Sequence, residues 1–193
     1  MKKVGLFFGS FNPIHIGHLL LANYMLEFTA IDELWFVITP QSPDKQHQRM
    51  LDNNTRYQLI YEAIQGYPNI KASKVEFDLE QPNYTINTLA VLEEQYPNHS
   101  FSLIMGSDNL QHFHKWKNAA LILERYPLLV YPRAHTNQLP EHYIGQQQIQ
   151  LVEAPIVEIS ASFIRKAIKE GKDIRSFLPA AVWTYIDEMN LYK

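Results

Sequence analysis

Two histidines stand three residues apart in the first glycine- and proline-containing turn of the sequence. His15 and His18 belong to the segment GSFNPIHIGH, residues 9–18, which follows a short apolar run. Imidazoles can donate hydrogen bonds to a phosphate whose charge grows in a transition state. Preorganised donors of this kind are worth roughly 2.7–4 kcal/mol each in acyl-transfer enzymes. The same spacing also suits half of a metal site or a pair that only packs.

The residues around the two histidines favour an anion site at the start of a helix. Gly9 lets the chain leave a buried strand, Pro13 stiffens the turn, and Gly17 leaves room for a ligand near the backbone. The first turn of a helix has unpaired N–H groups and a partial positive charge, so it attracts anions. Neither the G-x-G-x-x-G pattern nor the Walker pattern is present. Phosphate chemistry and a structural role for the histidines both stay open on these residues alone.

Short apolar runs alternate with segments of helical spacing, which predicts an α/β fold. We expect a Rossmann-like doubly wound parallel sheet with helices on both faces and a small C-terminal helical part. The pattern predicts strands over 4–9, 34–40, 70–77, 101–106, 127–133 and 149–155. It predicts helices over 18–28, 54–66, 84–97, 160–171 and 180–192, with a loop over 133–148. Asn83 or Thr85 is the expected cap of the helix over 84–97.

The residues that could do chemistry follow the predicted strands. His15 and His18 follow the first strand, Lys45 follows the second, Asp108 follows FSLIMG, and Arg133 follows PLLVY. In doubly wound sheets, ligands bind outside the carboxyl ends of the strands, where the strand order reverses. These side chains are therefore expected at one edge of the sheet.

Length and composition limit the classes of protein that the chain can form. Its 193 residues predict one domain, 1–193, with the helical part over about 160–193. The chain has no cysteine, which excludes disulfides and thiolate chemistry. A formal net charge of −3 disfavours nucleic acid as a partner. The opening apolar run is too short for a signal peptide or a membrane span, so we expect a cytoplasmic protein without a membrane partner. Nothing in the sequence indicates the oligomeric state.

Several motifs together resemble one family of nucleotidyltransferases. GSFNPIHIGH is similar to the H-x-G-H signature of that superfamily, and its extended form looks like the nicotinate-nucleotide adenylyltransferase family. ISASFIR, residues 159–165, resembles I-S-S-T-x-x-R, with Ala161 and Ser162 altered. YTINTL (84–89) resembles Y-T-x-D-T-L, and GSDNLQHFHKW (106–116) resembles the G-x-D…W segment. In PQSPDKQHQ (40–48), Pro43 and Lys45 match the family but Asp44 replaces a histidine.

The resemblance implies adenylyl transfer from ATP to nicotinate mononucleotide, giving deamido-NAD and pyrophosphate, with Mg²⁺ accompanying ATP and no dedicated metal site on the protein. Implied catalytic residues are His15, His18 and Arg165. Implied ATP-binding residues are Gly9, Ser10, Phe11, His15, His18, Gly106, Asp108, Ser160, Phe163 and Arg165. Implied substrate-binding residues are Lys45, Tyr84, Thr85, Trp116 and Arg133.

Each assignment has a simpler structural alternative. Ser160 and Asp108 are also favoured helix caps, Trp116 could be a core residue, and Lys45 could be an ordinary surface lysine. At the level of function, the alternatives are another transferase of the superfamily, acting on phosphopantetheine or on a phosphorylated alcohol, and a nucleotide-binding module without turnover. The aromatic residues near YTINTL favour a pyridine substrate over the first alternative. A complete set of phosphate donors favours an enzyme over the second.

Overall fold

The computed structural model describes residues 1–41, 50–134, 136 and 140–193. Six parallel strands form its sheet in the order β3-β2-β1-β4-β5-β6. The strands are β1 Lys2–Gly9, β2 Glu33–Ile38, β3 Ile70–Ser73, β4 His99–Gly106, β5 Leu128–Tyr131 and β6 Ile149–Leu151. The order reverses between β1 and β4, which confirms the doubly wound sheet that the sequence predicts. A crevice for a ligand is expected outside the carboxyl ends of these two strands.

Helices connect the strands and cover the sheet. They are α1 Ile16–Phe28, α2 Asn53–Ala63, α3 Thr85–Gln95, α4 Ser107–His112, α5 Ala119–Arg125, α6 Ala161–Lys169 and α7 Ala180–Glu188. Short 3₁₀ turns lie at Phe113–Lys115, Glu141–Tyr143 and Arg175–Phe177. No helix in the described part of the chain is long and apolar enough to span a bilayer.

Successive side chains of each strand point to opposite faces of the sheet, so the core consists of two parts, one on each face. Phe7 of β1 and Ile104 of β4 point to the face covered by α1, α2, α6 and α7. Leu6 and Leu103 point to the face covered by α3, α4 and α5. The middle of β1 and all of β2 are buried on both faces, which explains why these strands read as continuous apolar runs.

The structure corrects several predicted boundaries. β3 ends at Ser73 because the chain turns at once, with the Phe77 N–H donating to the Lys74 carbonyl at 2.8 Å. α1 begins at Ile16, two residues before the predicted start. The cap of α3 is Tyr84, whose side chain makes no capping bond, so the expectation of Asn83 or Thr85 in that position was wrong. α4 and α5 were not predicted.

Candidate active site

His15 and His18 form a stacked pair at the start of α1. His15 is the N-cap residue, and its backbone N–H donates to Nδ1 of His18 at 3.2 Å. The ring centroids are 3.7 Å apart with the planes inclined by 25°. The spacing of three residues makes this possible, because the N-cap and the third helical residue lie on the same side of the first turn.

Burial of His15 and the hydrogen bond to Nδ1 of His18 favour the neutral form of both imidazole rings. Burial and, to a smaller extent, the positive charge of Arg133 together lower the pKa of His15 to about 4, so this ring is uncharged at neutral pH. His15 is only 4% exposed, and its Nδ1 has no partner among the described residues. Since Nδ1 of His18 accepts a hydrogen bond, the proton of a neutral His18 ring lies on Nε2. His18 can therefore donate from Nε2.

The loop before α1 contains a left-handed backbone conformation that residues other than glycine seldom adopt. Phe11 has a φ of 43° and is 3% exposed, with its ring edge-on to those of Phe36 and His18 at 5.1 Å. A non-glycine residue in the left-handed region costs free energy and persists only where its surroundings hold it. A Cβ on Gly9 would lie 2.8 Å from the Phe11 ring, which explains the glycine at that position.

Gly17 is required by close packing. A Cβ at this position would lie 2.9 Å from Cγ1 of Val157 and 3.0 Å from Nδ1 of His15. The segment before α6 therefore lies directly against the first turn of α1. This contact brings the ISASFIR motif to the histidine pair, although about 140 residues separate them in the sequence.

Arg165 and Ser160 come from the start of α6. Nη1 of Arg165 donates to the carbonyl of Asn12 at 2.7 Å, so its guanidinium reaches the loop that carries the histidines. Ser160 is the N-cap of α6, with Oγ accepting from the Phe163 N–H at 3.2 Å. The capping alternative for Ser160 is thus correct, and it leaves the hydroxyl at a helix N-terminus. The Phe163 side chain is about half exposed beside Phe177.

Asp108 and Arg133 lie together on the β4–β5 side of the crevice. Nε of Arg133 is 3.7 Å from Oδ2 of Asp108, and its Nη1 donates to the Val157 carbonyl at 3.2 Å. Asp108 is in the first turn of α4, one residue after Ser107, which begins the helix. A Cβ on Gly106 would lie 2.3 Å from Oδ1 of Asp108, so glycine is needed for this turn. Arg133 is thus a neighbour of His15 and of Asp108.

A cavity of about 310 Å³ opens on the other side of the loop. Its lining includes Gly9 and Ser10 from the loop, Tyr84 and Thr85 from the start of α3, and Trp116. Among the predicted substrate-binding residues, the structure therefore brings Tyr84, Thr85 and Trp116 together. Arg133 is not in this lining, and Lys45 lies outside the described residues.

Trp116 is both a core residue and a cavity residue. Its ring packs 5.3 Å from Phe113 and is half-buried against the core formed by α3, α4 and α5. The same ring contributes to the cavity wall. One of its faces can therefore receive a planar ligand while the rest of the side chain is held by the core.

Comparisons with known proteins agree with this geometry. The model of the cytidylyltransferase-like family matches residues 6–167. A probable nicotinate-nucleotide adenylyltransferase of Christiangramia forsetii is 52% identical over 100% of this chain and 99% of its own length. A protein of the same name from Flavobacterium psychrophilum is 50% identical over 99% of both chains.

This chain belongs to the nicotinate-nucleotide adenylyltransferase family. As a member of it, the chain is a nucleotidyltransferase. A solved structure with the same fold, the nicotinic acid mononucleotide adenylyltransferase of Plasmodium falciparum, has a TM-score of 0.81 at 22% identity. It covers 100% of this chain and 98% of its own. The Rossmann-like fold and the family expected from the motifs are both confirmed.

Sequence reasoning missed a buried arginine of this adenylyltransferase. Arg56 of α2 is 1% exposed, and its Nη1 donates to the carbonyls of Ser10 at 2.7 Å and Thr39 at 2.9 Å. It ties the histidine loop to the end of β2. The signal was present in the sequence, since Arg56 lies on the same helix face as the buried Leu59 and Ile60.

The cavity of the adenylyltransferase also contains charged residues that the motifs did not indicate. Lys115 and Lys117 line it on either side of Trp116, and Nζ of Lys117 is 4.5 Å from the centre of the Tyr84 ring. Neither ammonium has a carboxylate partner among the described residues. Glu76 also lines the cavity, and burial raises the pKa of this carboxyl, partly offset by a hydrogen bond from Thr88 at 2.6 Å.

Proposed function

We propose that this enzyme transfers the adenylyl group of ATP to nicotinate mononucleotide, forming deamido-NAD and pyrophosphate for NAD biosynthesis. A phosphate oxygen of the mononucleotide attacks the α-phosphorus of ATP. The new bond joins that oxygen to phosphorus, and the bond from the α-phosphorus to the oxygen bridging the β-phosphate breaks. The attacking oxygen is already anionic at neutral pH, so no general base is needed. Catalysis then rests on positioning and on stabilising charge.

The histidine pair supplies donors to the reacting phosphate. His18 donates from Nε2 to an α-phosphate oxygen as its charge grows. His15 lies beside it as a second neutral ring, contacting the phosphates or the bridging oxygen. Their hydrogen bonds strengthen as charge grows on the α-phosphate oxygens, so they bind the transition state more strongly than the substrate, which is the differential binding that catalysis requires.

The residues around the pair hold the rest of the nucleotide. The guanidinium of Arg165 and the N-terminus of α6 at Ser160 and Phe163 bind the leaving β- and γ-phosphates. Gly9, Ser10 and Phe11 let the triphosphate approach the backbone, and they are joined on the β4 side by Gly106 and Asp108. Asp108 accepts hydrogen bonds from the ribose hydroxyls, with Arg133 beside it.

Mg²⁺ enters this site with ATP. The described residues contain no group of three or more His, Asp or Glu side chains that could hold a metal ion. Such a donor set fits a cation bound mainly by phosphate oxygens and water. Bound to ATP, such a cation would neutralise phosphate charge, while Arg165 and the two helix N-termini would orient the triphosphate.

The cavity lined by Gly9 and Ser10 of the histidine loop is the observation that carries the choice of acceptor. It shares Gly9 and Ser10 with the phosphate site, which suits a mononucleotide whose phosphate must reach ATP. Trp116 and Tyr84 provide aromatic faces for a pyridine ring. Lys115 and Lys117 add positive charge beside them, which favours an acid over an amide on that ring.

A pyrophosphate-release assay tests this function. The enzyme receives ATP and Mg²⁺ with one acceptor at a time: nicotinate mononucleotide, its amide, phosphopantetheine or choline phosphate. We expect the highest kcat/KM with nicotinate mononucleotide. Faster release with phosphopantetheine or choline phosphate, or none with either pyridine nucleotide, would overturn the proposal. The variant His114→Ala, which changes an exposed histidine that does not line the cavity, is the control for histidine substitutions.

A further inference from the structure

We propose that Tyr192 is a positioning residue for adenylyl transfer, acting through Asn12 on the loop that carries His15 and His18. This inference rests on the proposed function. Tyr192 follows α7, and its hydroxyl donates to Oδ1 of Asn12 at 2.7 Å. The two residues are 180 positions apart in the sequence, so this bond joins the two ends of the described chain.

Asn12 is the point where three distant segments meet the loop. It is 3% exposed, and its Oδ1 also accepts from the Leu51 N–H at 3.4 Å. Its carbonyl accepts from Nη1 of Arg165 at 2.7 Å. Of the two hydrogen bonds to the Asn12 side chain, the one from Tyr192 is the shorter. It fixes the orientation of the Asn12 amide, and with it the turn that leads into α1.

The hydroxyl of Tyr192 is itself held in place. Tyr192 has a φ of 66° in the left-handed region, and Leu191 before it donates from its N–H to the Ile186 carbonyl at 3.0 Å. Its ring packs on the core shared by α1, α2 and α7. Burial raises the pKa of Tyr192, so the phenol stays protonated and remains a donor throughout the working pH range.

The loop needs such an external support because its own conformation is strained at Phe11, where φ is 43°. Without the bond from Tyr192, the Asn12 side chain can rotate and the N-cap of α1 can shift. Small displacements of donors relative to the reacting phosphorus are costly, since about 1 Å can reduce a rate about 10²-fold. The cavity for the pyridine ring shares Gly9 and Ser10 with the loop, but its aromatic and basic lining comes from the start of α3 and from residues 112–117, and neither Asn12 nor Tyr192 lines it.

The test compares Tyr192→Phe with Tyr185→Phe. The first change removes one hydroxyl and keeps the ring that packs on the core. The second removes a hydroxyl from a tyrosine of α7 on the same core, away from the loop. We expect Tyr192→Phe to lower kcat about tenfold with the KM for nicotinate mononucleotide nearly unchanged. Tyr185→Phe should match the wild type, and both variants should melt within a few degrees of it.

A second measurement does not require the enzyme to be catalytically active. Burial keeps the pKa of His15 near 4 in the intact loop, and NMR titration of the imidazole can follow it. In Tyr192→Phe this pKa should move upward toward 6.5, the ordinary value of a histidine side chain, because a loosened loop admits water. An inactive wild type would refute the proposed function and leave this titration as the test. A kcat within twofold of wild type, an unchanged His15 titration, or equal losses in Tyr185→Phe would each refute the role of Tyr192.

Discussion

Replacing His18 separates two roles that the structure assigns to one ring. Its Nδ1 accepts the His15 backbone N–H at 3.2 Å, and its Nε2 carries the proton that we assign to the α-phosphate. His18→Ala removes both. His18→Asn returns an acceptor close to the former Nδ1 but has no donor that reaches the position of Nε2. The pair of variants therefore tests whether the ring is a cap of α1 or a donor to the substrate.

The size of each effect follows from the contact that is lost. A preorganised donor to a developing charge is worth roughly 2.7–4 kcal/mol, and about 1.36 kcal/mol corresponds to a factor of ten in rate. Loss of the Nε2 donor should therefore lower kcat about 10²–10³-fold. Leaving the His15 N–H without an acceptor should cost about 1–3 kcal/mol of unfolding free energy. Loss of the edge contact to the Phe11 ring at 5.1 Å adds to that cost.

The assays are pyrophosphate release at saturating substrates and urea unfolding of the free enzyme. We expect His18→Ala to lose both activity and stability, and His18→Asn to recover most of the stability but none of the activity. Recovery of kcat to within threefold of wild type in His18→Asn would refute the donor role. It would mean that the ring acts only as a partner of the N-cap.

Three further predictions concern the two halves of the site. Trp116→Ala should raise the KM for the mononucleotide more than the KM for ATP, because the ring lines the cavity; equal changes in both would remove the stacking role. Lys117→Met should reduce the preference for nicotinate over nicotinamide mononucleotide by at most about fivefold, the ratio of kcat/KM values being measured, since an exposed ion pair is worth about 0.2–1 kcal/mol. An unchanged ratio would exclude this lysine from acid recognition. His15 has a folded pKa of about 4 against 6.5, so the unfolded state binds the proton more tightly and stability falls as the pH drops from 6.5 to 4. In urea unfolding, the decrease in unfolding free energy over this pH range should be about 3 kcal/mol smaller in His15→Asn than in the wild type. An equal decrease in both proteins would contradict the buried neutral ring.

The sheet could be predicted because the middles of its central strands are buried on both faces. Runs such as VGLFFG leave few alternatives to a central parallel strand, and the predicted positions of β1, β2 and β4 are close to those observed. The helices α4 and α5 escaped prediction because they have only six and seven residues. Elements this short show hardly two turns of apolar spacing, and the left-handed Asn118, with a φ of 55°, interrupts the pattern between them.

The site could be predicted only as far as its motifs extend along the chain. The spacing of the two histidines indicates a candidate site, and the structure adds which nitrogen of His18 carries the proton. The helix pattern indicates that Arg56 is buried, but nothing local indicates what Arg56 or Tyr192 contacts, since they reach the loop from 46 and 180 residues away. Lys115 and Lys117 look like ordinary surface lysines in the sequence. Their position at the cavity follows from the fold between β4 and β5, which the pattern did not reveal.

We expect the loop to prefer anions, because its carbonyl groups already accept hydrogen bonds from internal donors. The carbonyl of Gly9 accepts from the Thr39 N–H at 2.9 Å, that of Ser10 from Arg56 at 2.7 Å, and that of Asn12 from Arg165 at 2.7 Å. A carbonyl that already accepts a hydrogen bond from an internal donor repels a nearby phosphate less than a free carbonyl does. The N–H groups at the start of α1 and the Nε2 proton of His18 then define the polarity of the crevice. We therefore expect Thr39 and the distant donors in α2 and α6 to favour binding of the nucleotide phosphates at this loop.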